Sequence, residues 1–577
     1  MKHFKLVALV LTIALLSGCG LNKMIKNYEE VDYTVTPEVL ENKGGEVELE
    51  VKGFIPEKYF HPKAALEFKP VLKYEGGEKE LESFRMKGEK ADGEGKIISK
   101  KEGGSFTYNT TFEYEDGMQD AVLITNPVAS LKDKTAELGK TQLAEGVIIT
   151  STRIKHDEKV VAASHMYEKE TIISEKANIY FAQNFSNLNW WLDLNKEENT
   201  KKDLAAMKDF IRQGWKIKNI ELNAWASPEG EISFNEDLAV ERAETGKEYL
   251  TGQLNQIAEE KDSKVNIESA EDVNLDVYPK GEDWNGFMEA VENSDLEAKS
   301  TILNVVRSQP DLKEREEEIR NMSMIYDELA EEILPPLRRV EFTVNSFEPK
   351  HSDEELQDLI FSNPDTLDIK EMLYAAAIQK TNEKKIEAYE VINNHHKKCW
   401  RAFNNKGAVM LEENMLDEAE SSLKKAKELK TTGEVYNNMA VLALKRENFE
   451  KGEELLGKAK KAGINTSYNM GIINMIEGDF AKAESNFKAA DCNYNLALAQ
   501  LMNDKADKAV STLECSEKGA KEHYLLAVIF ARKDNQSKSL EHLEVAVEKC
   551  SALKANAKID KEFIDYFDAE EFKSIVK

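Results

Sequence analysis

The sequence predicts a multidomain α+β protein: a β-sandwich-like N-terminal region, a central α/β sandwich and an all-α C-terminal array. Three observations carry this. Short alternating strands recur as far as residue 171, a strand–turn–helix unit marks the middle, and small residues recur every 26–33 positions through the last third. A chain of 577 residues also exceeds what one core holds.

Residues 1–18 read as a signal peptide. Lys2 and Lys5 form a basic start, and the apolar stretch 6–16 is too short to span a bilayer. Leu16-Ser17-Gly18-Cys19 then follows, which resembles the bacterial lipobox. The resemblance implies cleavage before Cys19 and lipidation of its thiol. The expected address is the outer membrane, lipid-anchored and facing the periplasm, with residues 19–32 as a lipidated tether.

Acidic residues outnumber basic ones, 107 to 78, for a net charge of −29. Such a field repels nucleic acid and argues against a polybasic membrane contact. Cys399, Cys492, Cys515 and Cys550 contain no Cys-x-x-Cys, so no metal or cofactor is expected. A Cys492–Cys515 or Cys399–Cys550 bridge is compatible with an oxidising compartment, but thiols buried between helices are the preferred reading.

The region 33–171 alternates in 47–51, 65–69 and 106–112, with turns at Gly44-Gly45, Gly76-Gly77, Asp92-Gly93 and Gly103-Gly104. This predicts one β-sandwich or two small ones. Tyr59, Phe60 and Tyr74 read as strand-packing aromatics rather than a binding surface.

The region 172–347 contains a first strand at 177–181, a helix at 201–213, a strand at 220–226 and a last strand at 339–344. Ile220, Leu222, Ala224 and Ala226 alternate onto one face, and Pro228 and Gly230 end the strand. In the helix that follows, Ser233 and Asn235 are rival N-caps, and Ala239, Ala243, Gly246 and Leu250 form the buried stripe. A helical insertion occupies about 255–336. The run from Asn223 to Ala243 resembles the signature of the OmpA-like peptidoglycan-binding domain, whose helix carries Asn-x-x-Leu-x-x-x-Arg-Ala, here Asn235, Leu238, Arg242 and Ala243. The resemblance implies peptidoglycan as a partner and Ser227, Gly230, Asn235, Leu238 and Arg242 as the contact residues. A guanidinium fork suits the carboxylate of a stem peptide. The family has Asp where this chain has Ser227, which removes the counter-ion for the ligand's amine; Glu229 or Asp237 are the available substitutes. The alternative is that Arg242 pairs with Glu229 or Asp237 at the surface. Further upstream, 53–60, 70–74 and Gly88-Glu89 resemble the N-terminal domain that accompanies OmpA-like modules in Bacteroidetes-type lipoproteins.

In 365–577, Ala376, Gly407, Ala440, Gly471, Ala497 and Ala527 recur, each followed twelve positions later by Ala388, Ala419, Gly452, Ala483, Ala509 or Ser539. A third small residue recurs at Ala426, Ala459, Ala490, Ser516 and Ala546, and Leu423, Leu456, Phe487, Leu513 and Leu543 fill between the helices. This resembles the tetratricopeptide repeat (TPR). The resemblance implies a solenoid groove in which Asn404, Asn405, Asn437 and Asn438 face an unidentified protein partner or bond within the stack. The stretch 553–577 reads as a capping helix.

No nucleophile–base pair, phosphate loop or zinc motif occurs, so the expectation is a non-enzymatic scaffold linking outer membrane to peptidoglycan and recruiting a protein through the repeats. The alternative is a surface or secretion and fimbrial-assembly accessory in which the OmpA-like domain binds protein rather than peptidoglycan.

Overall fold

The computed structural model describes residues 19–577 apart from 261–263, 265–268, 322 and 490–491. The signal peptide and Ala490 therefore lie outside the described residues. The chain forms two compact units, Met1–His165 with Ala376–Lys577, and Met166–Ala375.

In the first unit the N-terminal strands form three small, mainly antiparallel sheets around one core. The backbone of the first is the pair Glu46–Ile55 and Gly104–Glu113, in which Val47, Leu49 and Val51 face inward opposite Phe112, Thr110 and Tyr108. Gly53 is required here, since a Cβ would lie 2.1 Å from the Phe106 ring across the ladder. Phe106 in turn packs with Tyr33, Phe68 and Phe84. Tyr59 and Phe60 are buried. The tether reading of 19–32 needs correction. A helix spans Cys19–Lys26, and Leu21, Met24 and Tyr28 enter the same core, so this stretch is part of the fold.

From Ala376 onward the first unit is helical. Hairpins follow one another as Trp400–Glu412 with Leu416–Leu429, Gly433–Lys445 with Phe449–Lys461, Ser467–Ile476 with Phe480–Phe487, Tyr494–Met502 with Ala506–Glu514, and Ala520–Arg532 with Gln536–Lys549. Small residues allow the helices of a pair to approach. A Cβ on Gly407 or Gly471 would come within 2.8 Å of Leu423 or 2.6 Å of Phe487. Ala419, Ala440, Ala483, Ala497, Ala509 and Ala527 are fully buried at equivalent places. The preference for unbridged thiols also fails: Cys492 and Cys515 form a disulfide, while Cys399 and Cys550 are free. Cys492 lies just before one helix pair and Cys515 ends it, so the turns at its base bring the two together.

The second unit carries a four-stranded sheet in the order Ile172–Tyr180, Arg339–Phe347, Ile217–Ala226, Leu275–Glu282. The last two strands are parallel and the other pairings antiparallel. The helices Glu198–Arg212 and Ile232–Ala258 pack their apolar stripes on the sheet. Ile220, Leu222, Ala224 and Ala226 are buried, as their alternation requires. Residues 284–337 form a separate helical cluster with its own core.

Candidate functional site

Two places bring the singled-out residues together. The first is the groove of the helical hairpins, which is filled by the chain itself. Residues 153–165, assigned from the sequence to the β-rich region, form no strand; they run as an extended strap along the hairpins. Asn405, Asn438, Asn469 and Asn495 occupy the same place in successive first helices. Each grips one strap residue twice, its Oδ1 accepting from the backbone N–H and its Nδ2 donating to the carbonyl of that residue. Asn405 holds Ala163 at 2.6 and 2.9 Å, and Asn438 holds Val161 at 2.7 and 2.8 Å. Asn469 holds Lys159 at 2.7 and 2.9 Å, and Asn495 holds Lys155 at 2.8 and 2.9 Å. The strap thus runs antiparallel to the order of the hairpins. Asn404 and Asn437 add second donors to the carbonyls of Val161 and Lys159. Asn438 and Asn469 also donate back to Asn404 and Asn437, so the amides form one connected ladder.

The position before each ladder asparagine changes character along the array. It is Asn404 and Asn437, then Tyr468 and Tyr494, and Tyr524 stands at the equivalent place in the next hairpin. The three rings meet three strap cations: Lys159 over Tyr468 at 4.6 Å, Lys155 over Tyr494 at 4.7 Å and Arg153 over Tyr524 at 4.5 Å. Acids complete this end. Arg153 pairs with buried Asp560 at 2.6 Å, and Lys155 pairs with Glu522. Burial opposes the charge of Arg153, but Asp560, Tyr524, Tyr494 and Glu562 together outweigh it and raise its pKa. Backbone amides give affinity without regard to sequence; the cations set register. Sequence reading singled out the Asn doublets but missed Asn469, Asn495 and the strap. The readable signal was Asn-Asn, Asn-Asn, Tyr-Asn, Tyr-Asn at 404, 437, 468 and 494. The expected place for a partner protein is therefore taken by residues 153–163.

Beside the strap, the sandwich meets the last helices directly. Thr150 donates to Glu562 at 2.6 Å, Arg532 pairs with Glu41 at 2.6 Å, and Lys561 reaches Asp120 at 2.9 Å.

The second place is the end of the parallel strands in the other unit. The helix expected to start at Ser233 or Asn235 starts at Ile232, with Glu231 as N-cap and no side-chain cap. Asn235 is thereby released to turn inward, donating to the carbonyl of Glu229 at 3.0 Å and to Glu282 at 2.8 Å. Gly230 takes φ +104°, the left-handed turn that ends the strand. Ser227 donates to Glu229 at 2.6 Å, and Glu229 pairs with Arg338 at 2.7 Å, both nearly out of solvent. Leu238 is buried beside them.

Arg242 does not pair with Glu229 or Asp237 at the surface. It is 1 % exposed, and it donates to the carbonyls of Phe185, Trp225 and Ala182 at 3.1, 3.0 and 3.1 Å. Burial, then the neighbouring Arg338, pull its pKa down to about 10. The guanidinium latches the loop after the first strand to the end of the third. The insertion contributes Tyr326, 3.4 Å from Glu229, and Glu316. Glu316 is 6 % exposed, and its Oε1 has no hydrogen-bond partner among the described residues. Burial, then the facing Glu282, push its pKa up to about 8.

Among the described residues no group of three or more His, Cys, Asp or Glu is arranged to hold a metal, and no helix is long and apolar enough to cross a membrane. No protein-family model matches the chain, and no curated protein matches it. Solved structures with similarity include a tetratricopeptide repeat protein from Parabacteroides merdae, at 14% identity over 37% of this chain and 91% of that one, with a TM-score of 0.28. PilW, a type IV pilus biogenesis factor, matches at 16% identity over 40% and 100%, with a TM-score of 0.26. Yeast Tom70 matches at 14% identity over 67% and 93%, also at 0.26. Scores this low carry no argument about function; the helical repeat is read from this chain's own hairpins.

Proposed function

We propose that the protein is a non-enzymatic scaffold of the cell envelope, held to the outer membrane by lipid on Cys19, with TPR-type hairpins that clamp their own strap and an OmpA-like second unit that meets protein. The observation that carries the clamp is the asparagine ladder: a groove suited to any extended backbone is filled by residues 153–163. Tethering gives this segment a high effective concentration, so a free peptide competes poorly. Protein partners then meet the scaffold on surfaces outside the groove. The Cys492–Cys515 disulfide supports an oxidising compartment such as the periplasm or cell surface. The sheet order and the strand–turn–helix around Ser227 support the OmpA-like reading.

The same site favours protein over peptidoglycan as what the second unit contacts. Arg242 gives three of its five N–H donors to backbone carbonyls and is 1 % exposed, which withdraws it from a stem-peptide carboxylate, and Ser227 is committed to Glu229. Two experiments on residues 20–577 test this. Purified peptidoglycan sacculi are expected not to co-sediment the protein; co-sedimentation lost in a folded Arg242→Lys variant restores the wall-linking reading and sinks the protein-contact one. A synthetic peptide of residues 150–165 is expected to bind a variant whose 153–163 are replaced by Gly and Ser, but not the natural chain. Binding to the natural chain with equal affinity overturns the clamp.

A further inference from the structure

A cleft in the second unit, away from the Ser227 cluster, has no part in the function above. It lies between the helices Glu198–Arg212 and Ile232–Ala258, has a volume of about 390 Å³, and is lined by Trp190, Lys201, Leu204, Lys208, Tyr249 and Gln253. That volume is within the range of small-molecule sites, roughly 300–1,000 Å³.

Helical spacing builds its walls. Lys201, Leu204 and Lys208 fall on one face of the first helix at i, i+3 and i+7, and Tyr249 and Gln253 are one turn apart on the second. The aromatic corner is rigid. Tyr249 packs on core Phe342 at 5.9 Å, and the loop bearing Trp190 is pinned by Asn195, whose Nδ2 donates to the carbonyls of Tyr180 at 2.8 Å and Asn189 at 3.0 Å. Trp190 remains 45 % exposed.

The two lysines bring positive charge to the rim of the cleft. Lys196 pairs with Asp193, and Arg212 with Asp209 and Glu260. Lys201 and Lys208, between them, carry no ion pair among the described residues. Two unneutralised ammonium groups beside exposed aromatic carbon call for a ligand that is anionic at one end and apolar on one face.

The ring geometry selects the kind of face. Trp190 and Tyr249 have centroids 5.4 Å apart and planes inclined at 57°. This is a corner, too narrow for a flat base to slide between parallel rings. A saturated ring fits it, with C–H groups on the aromatic faces and hydroxyls toward Gln253.

We infer that this cleft binds an acidic sugar, a pyranose bearing carboxylate or phosphate, with the ring against Trp190 and Tyr249 and the acid on Lys201 and Lys208. The ligand chemistry is common to uronic-acid polysaccharides and to phosphorylated sugars of glycolipids.

The test is titration calorimetry of residues 20–577 with glucuronic acid, glucosamine 6-phosphate, neutral N-acetylglucosamine, inorganic phosphate and AMP. Both or either of the acidic sugars should bind at least tenfold more tightly than N-acetylglucosamine and inorganic phosphate; whichever is tighter identifies a polysaccharide or a phosphosugar source. Binding should fall at least tenfold in Trp190→Ala and in Lys201→Glu with Lys208→Glu, and return with Lys201→Arg and Lys208→Arg. These are surface changes, and circular dichroism checks that each variant is folded. Equal binding of the neutral sugar or of bare phosphate, tighter binding of AMP, no binding of either acid at millimolar concentration, or unchanged binding by the folded variants overturns the inference.

Discussion

Replacing Asn438 by Ala removes one rung of the ladder and leaves its strap partner in place. Asn438 is fully buried, and Val161 loses both the acceptor for its N–H, at 2.7 Å, and one donor to its carbonyl, at 2.8 Å. The carbonyl keeps Asn404 at 3.1 Å, so the N–H is the group left bare, and Asn404 loses the donor that reached its Oδ1 at 3.1 Å. An unsatisfied buried polar group costs about 1–3 kcal/mol. Ala gains back about 0.5 kcal/mol of helix propensity. With the second bond weakened, the net loss is about 2–4 kcal/mol, or roughly 30- to 1,000-fold in the equilibrium for strap opening. Trypsin reads this opening at Lys155 and Lys159, which lie along the docked strap, one paired with Glu522 and the other stacked on Tyr468. When reclosing is faster than cleavage, the cutting rate follows the open population. The variant should therefore be cut there at least 30-fold faster, while sites in the second unit are unaffected. A change below threefold, with the variant folded, would show that the strap is not held by the amides.

Arg242→Lys keeps the charge but cannot bond three diverging carbonyls; a loss of about 2–4 kcal/mol is expected, with faster hydrogen exchange between residues 182 and 192, and unchanged exchange refutes the latch. Glu316 holds its proton to about pH 8 when folded against 4.5 unfolded, so the folded chain binds the extra proton in that window and stability falls as pH rises through it. Allowing for screening, the loss is on the order of 2 kcal/mol, and Glu316→Gln should flatten the melting-temperature profile of the second unit between pH 5 and 8. Cys515→Ser opens a loop with a sequence separation of 23 and should lower stability to denaturant by about 3 kcal/mol, with reductant having the same effect on the natural chain and none on the variant.

Local pattern made the β-rich beginning and the helical hairpins legible. Alternation in Glu46–Ile55 and Gly104–Glu113 states which face is buried before any partner is known, because side chains alternate along a strand. The recurrence of Gly407, Ala440, Gly471, Ala497 and Ala527 marks where paired helices must touch, because only small residues permit that approach. The sites were less legible. Asn235 has the composition of an N-cap, yet the helix begins a turn earlier and the amide serves the neighbouring loop. Cys492 and Cys515 looked like packing thiols, since nothing local states which turns meet.

What the sequence determined by itself is therefore what depends on neighbours a few positions away: strand faces, helix stripes, turn glycines and the repeat period. The tertiary structure alone decided that residues 153–163 fill the groove, through amide contacts spanning 242 to 340 positions. It also decided that Arg242 faces inward, toward carbonyls as many as 60 positions away. Backbone N–H and C=O groups are identical at every residue, so no side-chain pattern in the strap announces which amides will hold them. Only the folded arrangement, which must satisfy each buried polar group, selects the partner.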